Sequence, residues 1–463
     1  MKKESCKTLK RSLLSVLVTS ALCTPHAMAF TRIVNDGETV TGEVVENGTQ
    51  TIRAGGEADH TTINWGGQQR VYGTASDTTI NNGGKQDVYG KADKTTLDGG
   101  VQTVYNGGTA GVTTINENGA QYVEYGGTAS DTTINNGGVQ IVYNGGTAGV
   151  TTINDGGKQY VASGGTATDT TLDGGVQTVY AGAEATDITI NDGGKQDVKN
   201  GGTASYTIIN DGGTLNVDAG GSATGVQQNA GAALITTTAT GTTVKGTNGL
   251  GEFSIENGQA ENVLLENGGR LTVVNGTTAT GTTVNDGGLQ TVSASAEAIN
   301  TTINGGEQEV SGRASGTTIN GGMQVVQNGG IATDITINDG GKQDVYGKAD
   351  KTTLEKGGVQ TVYTGAEATG TTINKGGWQN VGNGGTAIDT TIDGGVQEVY
   401  EGSTASDTDI NSGGKQIIYA GGTASVTTIN NGGKQLVNSG GSATGTTING
   451  GMQVVQNGGI ATG

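Results

Sequence analysis

The chain has 463 residues, of which 89 are glycine and only 4% are aromatic, and its formal net charge is −19 at pH 7. This balance excludes binding to nucleic acid or to bare anionic lipid through clustered basic residues. Cysteine occurs only at Cys6 and Cys23 and histidine only at His26 and His60. We therefore expect neither a disulfide framework nor a zinc site.

The first 29 residues are typical of a secretory signal peptide. A basic start with five lysine and arginine residues precedes an apolar run over residues 12–22 and the small-residue site Ala27-Met28-Ala29. The apolar run is shorter than the ~20 residues that a membrane-spanning helix needs. We predict export and cleavage after Ala29, which leaves His60 as the only histidine and removes both cysteines.

One phrase of nineteen residues repeats along almost all of the remaining chain, and it is clearest at residues 151–169, TTINDGGKQYVASGGTATD. Three positions stay apolar from unit to unit: the aliphatic position of Ile153, the valine position of Val161 and the alanine position of Ala167. A fixed period of about 20 residues is the signature of a solenoid or a repeat array.

Each unit contains short strand segments separated by Asn/Asp-Gly-Gly and Ser-Gly-Gly, which are turn signals. Because alternate side chains of a strand face opposite ways, Ile153, Val161 and Ala167 can all point inward from three sides of a triangular coil. Coils stacked at the ~4.8 Å strand spacing would share a continuous Ile/Val/Ala core. The sequence therefore predicts an all-β chain, a parallel β-helix of nineteen-residue coils.

Other repeat folds and disorder fit the same residues less well. A leucine-rich repeat needs several leucines per unit, and helical repeats need long stretches without paired glycines. The glycine content suggests disorder, but a disordered chain need not place one aliphatic residue at the same point of every unit.

The repeat divides the chain after the signal peptide into three parts. Residues 30–225 hold a capping coil and a first array, residues 226–262 are irregular, and residues 263–463 hold a second array. Leu234, Val244 and Ile255 can still point inward within the irregular part, which we interpret as about two widened coils or a protruding loop. A specific binding loop is the alternative. The chain ends on a unit boundary, and we expect it to be truncated.

The residues show little that could carry catalysis. His60 lies in a turn of an early repeat, and the acids Asp87, Asp197 and Asp344 recur at equivalent places, as surface decoration would. The glycine pairs lack the Gly-x-Asp continuation of calcium-binding nonapeptides, so turn geometry explains them better. We expect no catalytic residue, no metal site and no cofactor.

The outer surface is the informative part of the repeat. One threonine per unit lies next to an inward aliphatic residue and must point outward, which predicts one long, uninterrupted row of hydroxyl groups. The members of this candidate self-association ladder are Thr62, Thr79, Thr96, Thr114, Thr133, Thr152, Thr171 and Thr189. We expect the asparagines Asn135, Asn154 and Asn191 to stack beside it. A single outward threonine per coil argues against an ice-binding face.

The unit pattern x-T-T-I-N-x-G-G-x-Q-x-V-x-x-G-G-T-A-x, as at residues 132–150 and 427–445, resembles the AIDA-type repeats of self-associating autotransporter adhesins of Gram-negative bacteria. The resemblance implies a right-handed parallel β-helical passenger on the outer surface, some members being glycosylated on serine or threonine. It also implies a C-terminal outer-membrane translocator barrel, which we do not find before Gly463.

We therefore hypothesise a non-enzymatic, secreted or surface-displayed passenger for adhesion, cell–cell autoaggregation and biofilm formation. The expected partners are copies of the same protein on neighbouring cells and host-cell or abiotic surfaces, and no nucleic acid. Two alternatives stay open at this point: a carbohydrate-active β-helix enzyme, and a purely structural surface spacer.

Overall fold

The computed structural model describes residues 29–463. Apart from Ala29, the predicted signal peptide lies outside the described residues, so its cleavage stays a prediction. The described chain divides into two compact units, a first one that ends at Gln140 and a second one formed by Ile141–Gly463. Both consist of strands and turns, and no helix occurs among the described residues. In residues 29–463 we accordingly find no helix of the length and apolar character that would cross a membrane.

Each of the two compact units has two kinds of strand, and we name the sheets that these strands form after their characteristic residues. The glutamine sheet takes one short strand from each coil, such as Lys85–Val88. In the first unit its strands are Thr31–Val34, Thr49–Ile52, Gln68–Val71, Lys85–Val88, Val101–Val104 and Ala120–Val123, and Val139–Val142 contains the boundary between the units. In the second unit they are Lys158–Val161, Val176–Val179, Lys195–Val198, Thr214–Val217, Ala233–Thr237, Arg270–Val273, Leu289–Val292, Glu307–Val310, Met323–Val326, Lys342–Val345, Val359–Val362, Trp378–Val381, Val396–Val399, Lys415–Ile418, Lys434–Val437 and Met452–Val455.

The threonine sheet takes the Thr-Ala and Thr-Thr-Ile segments of each coil. In the first unit these are separate strands: Thr39–Thr41, Val44–Val45, Glu57–Asp59, Thr62–Ile63, Thr74–Ser76, Thr79–Asn81, Lys91–Asp93, Thr95–Asp98, Thr109–Ala110, Thr113–Ile115, Thr128–Ala129 and Thr132–Ile134. In the second unit many of them join into strands of seven or eight residues: Thr166–Asp173, Glu184–Ile190, Thr203–Ile209, Ser222–Gln228, Ile331–Ile337, Lys348–Leu354, Thr386–Asp393, Thr404–Ile410 and Thr423–Asn430. The other strands there are Thr147–Ala148, Thr151–Asn154, Leu264–Leu265, Thr278–Thr280, Thr283–Val284, Glu297–Ile299, Thr302–Ile303, Arg313–Ser315, Thr318–Ile319, Glu367–Thr369, Thr372–Asn374, Ser442–Thr444, Thr447–Asn449 and Ile460–Thr462.

Successive coils pair in parallel, residue on equivalent residue. In the first unit Val88 lies opposite Val71 and Val104, and in the second unit Ile153 lies opposite Leu172. The predicted parallel β-solenoid is therefore confirmed. Each coil forms interstrand hydrogen bonds with the coils next to it, which a single nineteen-residue repeat could not form alone.

The three apolar positions point inward as predicted. Ile153, Val161 and Ala167 each expose 0% of their surface, and their aliphatic and alanine equivalents are buried too, except in the last coil, where Ile448, Val455 and Ala461 are exposed. Isoleucine, valine and alanine do not make up the whole core, because two polar positions per coil are also buried. They are the first threonine of Thr-Thr-Ile, such as Thr151, and the glutamine of the glutamine sheet, such as Gln159.

A left-handed corner joins the two segments of the threonine sheet in most coils. At this corner φ is 52° for His60, 49° for Asp77, 51° for Lys94 and 54° for Asp131. Aspartate and asparagine tolerate the left-handed region better than other non-glycine residues do, which explains why aspartate is frequent at this point. The sequence predicts three separate sides for each coil. In the structure the Thr-Ala and Thr-Thr-Ile segments of a coil belong to one sheet, and only the left-handed corner lies between them.

The segment that the sequence marks as irregular contains a three-stranded antiparallel meander. Thr243–Asn248 pairs with Gly251–Glu256, which pairs with Gln259–Glu261, whereas the strands on either side of the meander pair in parallel. Val244 and Ile255 expose 0% of their surface, and Phe253 is buried as well. The meander therefore keeps filling the core while its turns point away from it.

Candidate functional site

The first five threonines of the predicted ladder form one row in the first unit. The strand register places Thr62 opposite Thr79, Thr79 opposite Thr96, Thr96 opposite Thr114, and Thr114 opposite Thr133. Each is half-buried, while the aliphatic residue that follows it is fully buried. The fold thus brings these five hydroxyl groups together on the outer side of the threonine sheet, as the period-2 alternation of a strand requires.

The row in the second unit is not continuous, which corrects the prediction of one uninterrupted ladder. Thr152, Thr171 and Thr189 stand opposite one another, but the next residue in register is Ile208. Beyond the meander the row resumes with members that the sequence analysis did not single out, and Asp409 interrupts it once: Thr283, Thr302, Thr318, Thr336, Thr353, Thr372, Thr391, Thr428 and Thr447. The cause of both breaks is local substitution, because an outward position does not need a threonine for the coil to stack.

A second polar row runs beside the threonines, where the side-chain amide of one asparagine donates to the carbonyl oxygen of the asparagine one coil earlier. The Nδ2–Oδ1 distance is 2.8 Å from Asn81 to Asn64 and 2.8 Å from Asn135 to Asn116. In the second unit Asn210 donates to Asn191 over 2.7 Å. The asparagines therefore bond from coil to coil, and this fixes the edge of the threonine row.

Charge is arranged around the threonine row rather than within it. The row is uncharged except at Asp409, and many left-handed corners that flank it are acidic, as at Asp77, Asp131, Asp169 and Asp187. A second molecule can approach the hydroxyl row without placing an ionised group directly against it. The acidic corners, and the net charge of −19, oppose that approach at low ionic strength.

A row of stacked glutamines lies inside each unit, and the sequence analysis missed it. In the first unit Nε2 of Gln69, Gln86, Gln102, Gln121 and Gln140 donates to Oε1 of the glutamine one coil earlier, over 2.6 to 2.7 Å. The signal was present, because each glutamine stands two residues before an inward valine and so must share its face. A buried amide is stable here because the identical side chain in the next coil satisfies it.

Tyrosines stack on the outer side of the glutamine sheet. In the first unit the ring centroids of Tyr72 and Tyr89 are 4.9 Å apart, and those of Tyr89 and Tyr105 are 4.7 Å apart. In the second unit burial, with the nearby Asp344 carboxylate as a further cause, raises the pKa of Tyr363 to about 12. The glutamine sheet therefore presents a varied aromatic and acidic surface, unlike the uniform threonine row.

The enzyme alternative requires a pair of carboxyl groups, and Asp197 and Asp344 differ in whether a second one lies nearby. Asp197 lies between Thr178 and Asn216 in register, and Asp344 lies between Val325 and Thr361. Glycoside hydrolysis needs two carboxyl groups about 5 to 9.5 Å apart across a bound sugar. Asp344 has no carboxylate opposite it in register. Asp197 does have a second carboxylate nearby, because Nδ2 of Asn216 donates to Oδ1 of Asp197 over 2.8 Å and to Oδ1 of Asp218 over 3.1 Å. Each of these two carboxylates is also paired with a lysine, Lys195 or Lys199.

Four segments of the chain match the family model described as "Adhesin of bacterial autotransporter system, probable stalk", at residues 172–210, 245–297, 346–395 and 392–433. These segments contain the same stacked coils whose threonine and asparagine rows are described above. The repeats are of the AIDA type. In these segments the chain is similar to the stalks of autotransporter adhesins.

A curated relative aligns with part of this chain. "Probable autotransporter YpjA" of Escherichia coli (strain K12) is 33% identical over 138 residues, which is 30% of this chain and 9% of the relative. The chain therefore aligns with only a small part of that relative's length. The match gives no activity of the whole relative to this chain.

Two solved structures align with most of this chain. A TibC-catalysed hyper-glycosylated fragment of TibA is 27% identical with a TM-score of 0.25, covering 94% of this chain and 100% of that one. The alginate lyase AlyGC, as a mutant, is 9% identical with a TM-score of 0.18, covering 94% of this chain and 96% of that one. Superpositions this poor carry no argument about function.

Proposed function

We propose that the chain is a non-enzymatic adhesive passenger, displayed on the surface of a Gram-negative cell, that associates with copies of itself through the threonine row. The observation that carries the proposal is the in-register stacking of outward threonines in each unit, such as Thr79 on Thr96 and Thr336 on Thr353. Autoaggregation of cells and biofilm formation would follow from that association.

A repeated row suits association because it multiplies weak contacts. One intermolecular hydrogen bond contributes only about 0.5–1.5 kcal/mol net. When several are held at fixed spacing by the same sheet, the formation of one raises the effective concentration of the next. Identical rows on two molecules have the same spacing, so each hydroxyl of one can meet a hydroxyl or an asparagine amide of the other.

The neighbouring acids Asp197 and Asp218 are each held in an ion pair, with Lys195 and Lys199, which supports a structural use of these carboxylates and a binding role for the chain. The four segments that match an adhesin stalk support the same role independently of the threonine geometry. Host-cell or abiotic surfaces are further partners of the same polar row, since silicate and glycan surfaces also offer hydroxyl groups.

The test uses beads coated with the full chain and measures how fast they clump and settle. In the variant, Thr79, Thr114, Thr152 and Thr189 are changed to lysine, which spaces the new charges on alternate coils and places them in the row. We expect the wild-type beads to clump and the variant beads to stay dispersed, because desolvating four ammonium groups opposes the contact.

A matched control separates the row from general charge effects. Thr51, Thr103, Thr291 and Thr361 are equally half-buried threonines, but they lie on the outer side of the glutamine sheet. Changing these four to lysine alters the net charge identically and should leave clumping intact. Equal behaviour of the two variants, or wild-type beads that never clump, would remove the proposal and leave a structural spacer.

A further inference from the structure

Three possible metal ligands come together near the start of the first unit. Nδ1 of His60 lies 2.7 Å from Oδ2 of Asp59, and Asp77 approaches from the next coil. One ligand atom from each of the three residues lies within 4.8 Å of the other two. The sequence analysis expects no zinc site, because one histidine without cysteine is insufficient by itself. Stacking supplies the missing carboxylate.

The left-handed corner explains why these side chains converge. His60 and Asp77 occupy the same corner in adjacent coils, with φ values of 52° and 49°. The backbone N–H of His60 donates to the carbonyl oxygen of Ser76 over 3.1 Å, which fixes the two corners against each other. The preceding coil has Gly42 at its corner, where a Cβ would meet nothing within 4 Å. One side of the cluster is therefore open.

Asp59 is already held in a ligand-like orientation. The hydroxyl of Ser76 donates to Oδ1 of Asp59 over 2.8 Å, which leaves Oδ2 directed at the imidazole. Outer hydrogen bonds of this kind orient the ligands of metal centres in proteins.

We propose that Asp59, His60 and Asp77 bind a divalent transition-metal cation of the zinc class. An imidazole with two carboxylates favours zinc, nickel or copper over calcium, which takes oxygen ligands only. The cation would lie between Nδ1 of His60 and Oδ2 of Asp59, in place of the hydrogen bond that now joins them. The His60 side chain is 65% exposed, so the remaining coordination positions face water. The proposal does not depend on the function of the threonine row.

Among the described residues 29–463, no other corner brings together three such ligands. Asp131 and Asp169 occupy the equivalent corner with the same left-handed backbone, but the coils that carry them contain no histidine. Lys94 occupies the same corner one coil after Asp77, and its side chain carries the opposite charge. Its positive charge should weaken the binding of a cation, and Lys94→Asn should therefore strengthen it.

The test titrates the full chain with zinc chloride in isothermal calorimetry, with calcium chloride present in excess. We expect one zinc ion per chain, bound in spite of the calcium. His60→Asn and Asp77→Asn keep a residue that tolerates the left-handed corner, and each should weaken zinc binding about tenfold or more. Asp131→Asn removes the same charge from an equivalent corner and should leave the affinity unchanged.

A second readout follows the imidazole directly. The proton resonances of the His60 ring, assigned by their loss in His60→Asn, should shift or broaden when zinc is added to the wild type. Unshifted His60 resonances would overturn the proposal, and so would equal zinc affinity in His60→Asn and wild type. Displacement of zinc by calcium would also overturn it, because carboxylates alone would then be the binding groups.

Discussion

Each inward side chain of this solenoid is stabilised by a copy of itself one coil away. Stacked Ile, Val and Ala remove apolar surface from water, as a hydrophobic core does in any domain. The glutamines differ, because their burial depends on an unbroken chain of amide hydrogen bonds. Gln102 shows this clearly, since it donates to Gln86 and accepts from Gln121, each over 2.7 Å.

Changing Gln102 to leucine should destabilise the chain by about 1–3 kcal/mol, the usual cost of leaving buried polar groups unsatisfied. Gln86 loses a donor and Gln121 loses an acceptor in this variant. Leucine itself fits the position, since Leu215 and Leu234 replace glutamine in two coils of the second unit. Urea unfolding measures the loss, and a midpoint equal to that of the wild type would show that the glutamine ladder does not stabilise the fold.

Asp344 provides a prediction that depends on pH. Burial raises the pKa of its carboxyl group, against the hydrogen bond from Tyr363 and the charge of Lys342, which lower it. The folded chain therefore holds this proton more tightly than the unfolded chain does. The free energy of unfolding loses this contribution as pH rises through the folded pKa.

Asp344→Asn should consequently raise the urea midpoint at pH 7, because it removes a carboxylate whose ionisation opposes folding. The gain should vanish at acidic pH, below the ordinary aspartate pKa of about 3.9, where both forms are neutral. Unfolding curves of the two proteins at both pH values check this. A midpoint lower than that of the wild type at pH 7 would contradict the assigned direction.

At the level of the element, the two glycines of each turn have different roles. Gly107 has a φ of +81°, and a Cβ there would have only the carbonyl oxygen of Tyr89 near it, at 4.0 Å. A Cβ at Gly108 would lie 2.2 Å from the carbonyl oxygen of Val88 in the previous coil. The first glycine thus supplies a left-handed turn, and the second allows close stacking of the coils.

Gly108→Ala should therefore be far more destabilising than Gly107→Asn. The alanine pushes two backbones apart, whereas asparagine tolerates a left-handed conformation in open space. Thermal unfolding followed by circular dichroism compares the two variants with the wild type. Equal melting temperatures for the two variants would show that the coils do not stack at the distance described.

The sequence predicts much of this element and misses part of it, for physical reasons. The period and the inward Ile153, Val161 and Ala167 follow from alternation along a strand. The glutamine row follows from the same alternation, but an expectation that cores are apolar hides it. The sequence does not reveal the left-handed corner at His60, because a single residue with positive φ has no periodic signal. The break of the threonine row at Ile208 is visible in the sequence, because Ile208 stands directly before the inward Ile209, where most units have threonine.

At the scale of the whole molecule, the net charge of −19 opposes any association between copies. The threonine rows are almost free of charge, so repulsion between two molecules comes from the acidic residues around them. Screening of this repulsion depends on salt, because the Debye length falls from about 30 Å at 0.01 M to about 8 Å at 0.15 M.

Beads coated with the chain should therefore clump faster in 0.15 M sodium chloride than in 0.01 M, at the same pH and protein density. Settling rate at the two concentrations is the measurement. Clumping that weakens as salt increases would indicate attraction between opposite charges, and the neutral threonine row would then not be the contact surface.

The central claim is that outward threonines in successive coils of each unit are separated by one strand spacing. Nitroxide labels on cysteines at positions 62 and 133 lie four coils apart in the first unit, which corresponds to about 19 Å between the backbones at ~4.8 Å per coil. In the second unit, positions 283 and 353 are also four coils apart, and positions 336 and 447 are six coils apart, about 29 Å.

Pulsed electron resonance on these three doubly labelled chains tests the claim most directly. We expect narrow distance distributions, with equal mean distances for the two four-coil pairs and a mean about one and a half times longer for the six-coil pair. Broad distributions, or different mean distances for the two four-coil pairs, would contradict it.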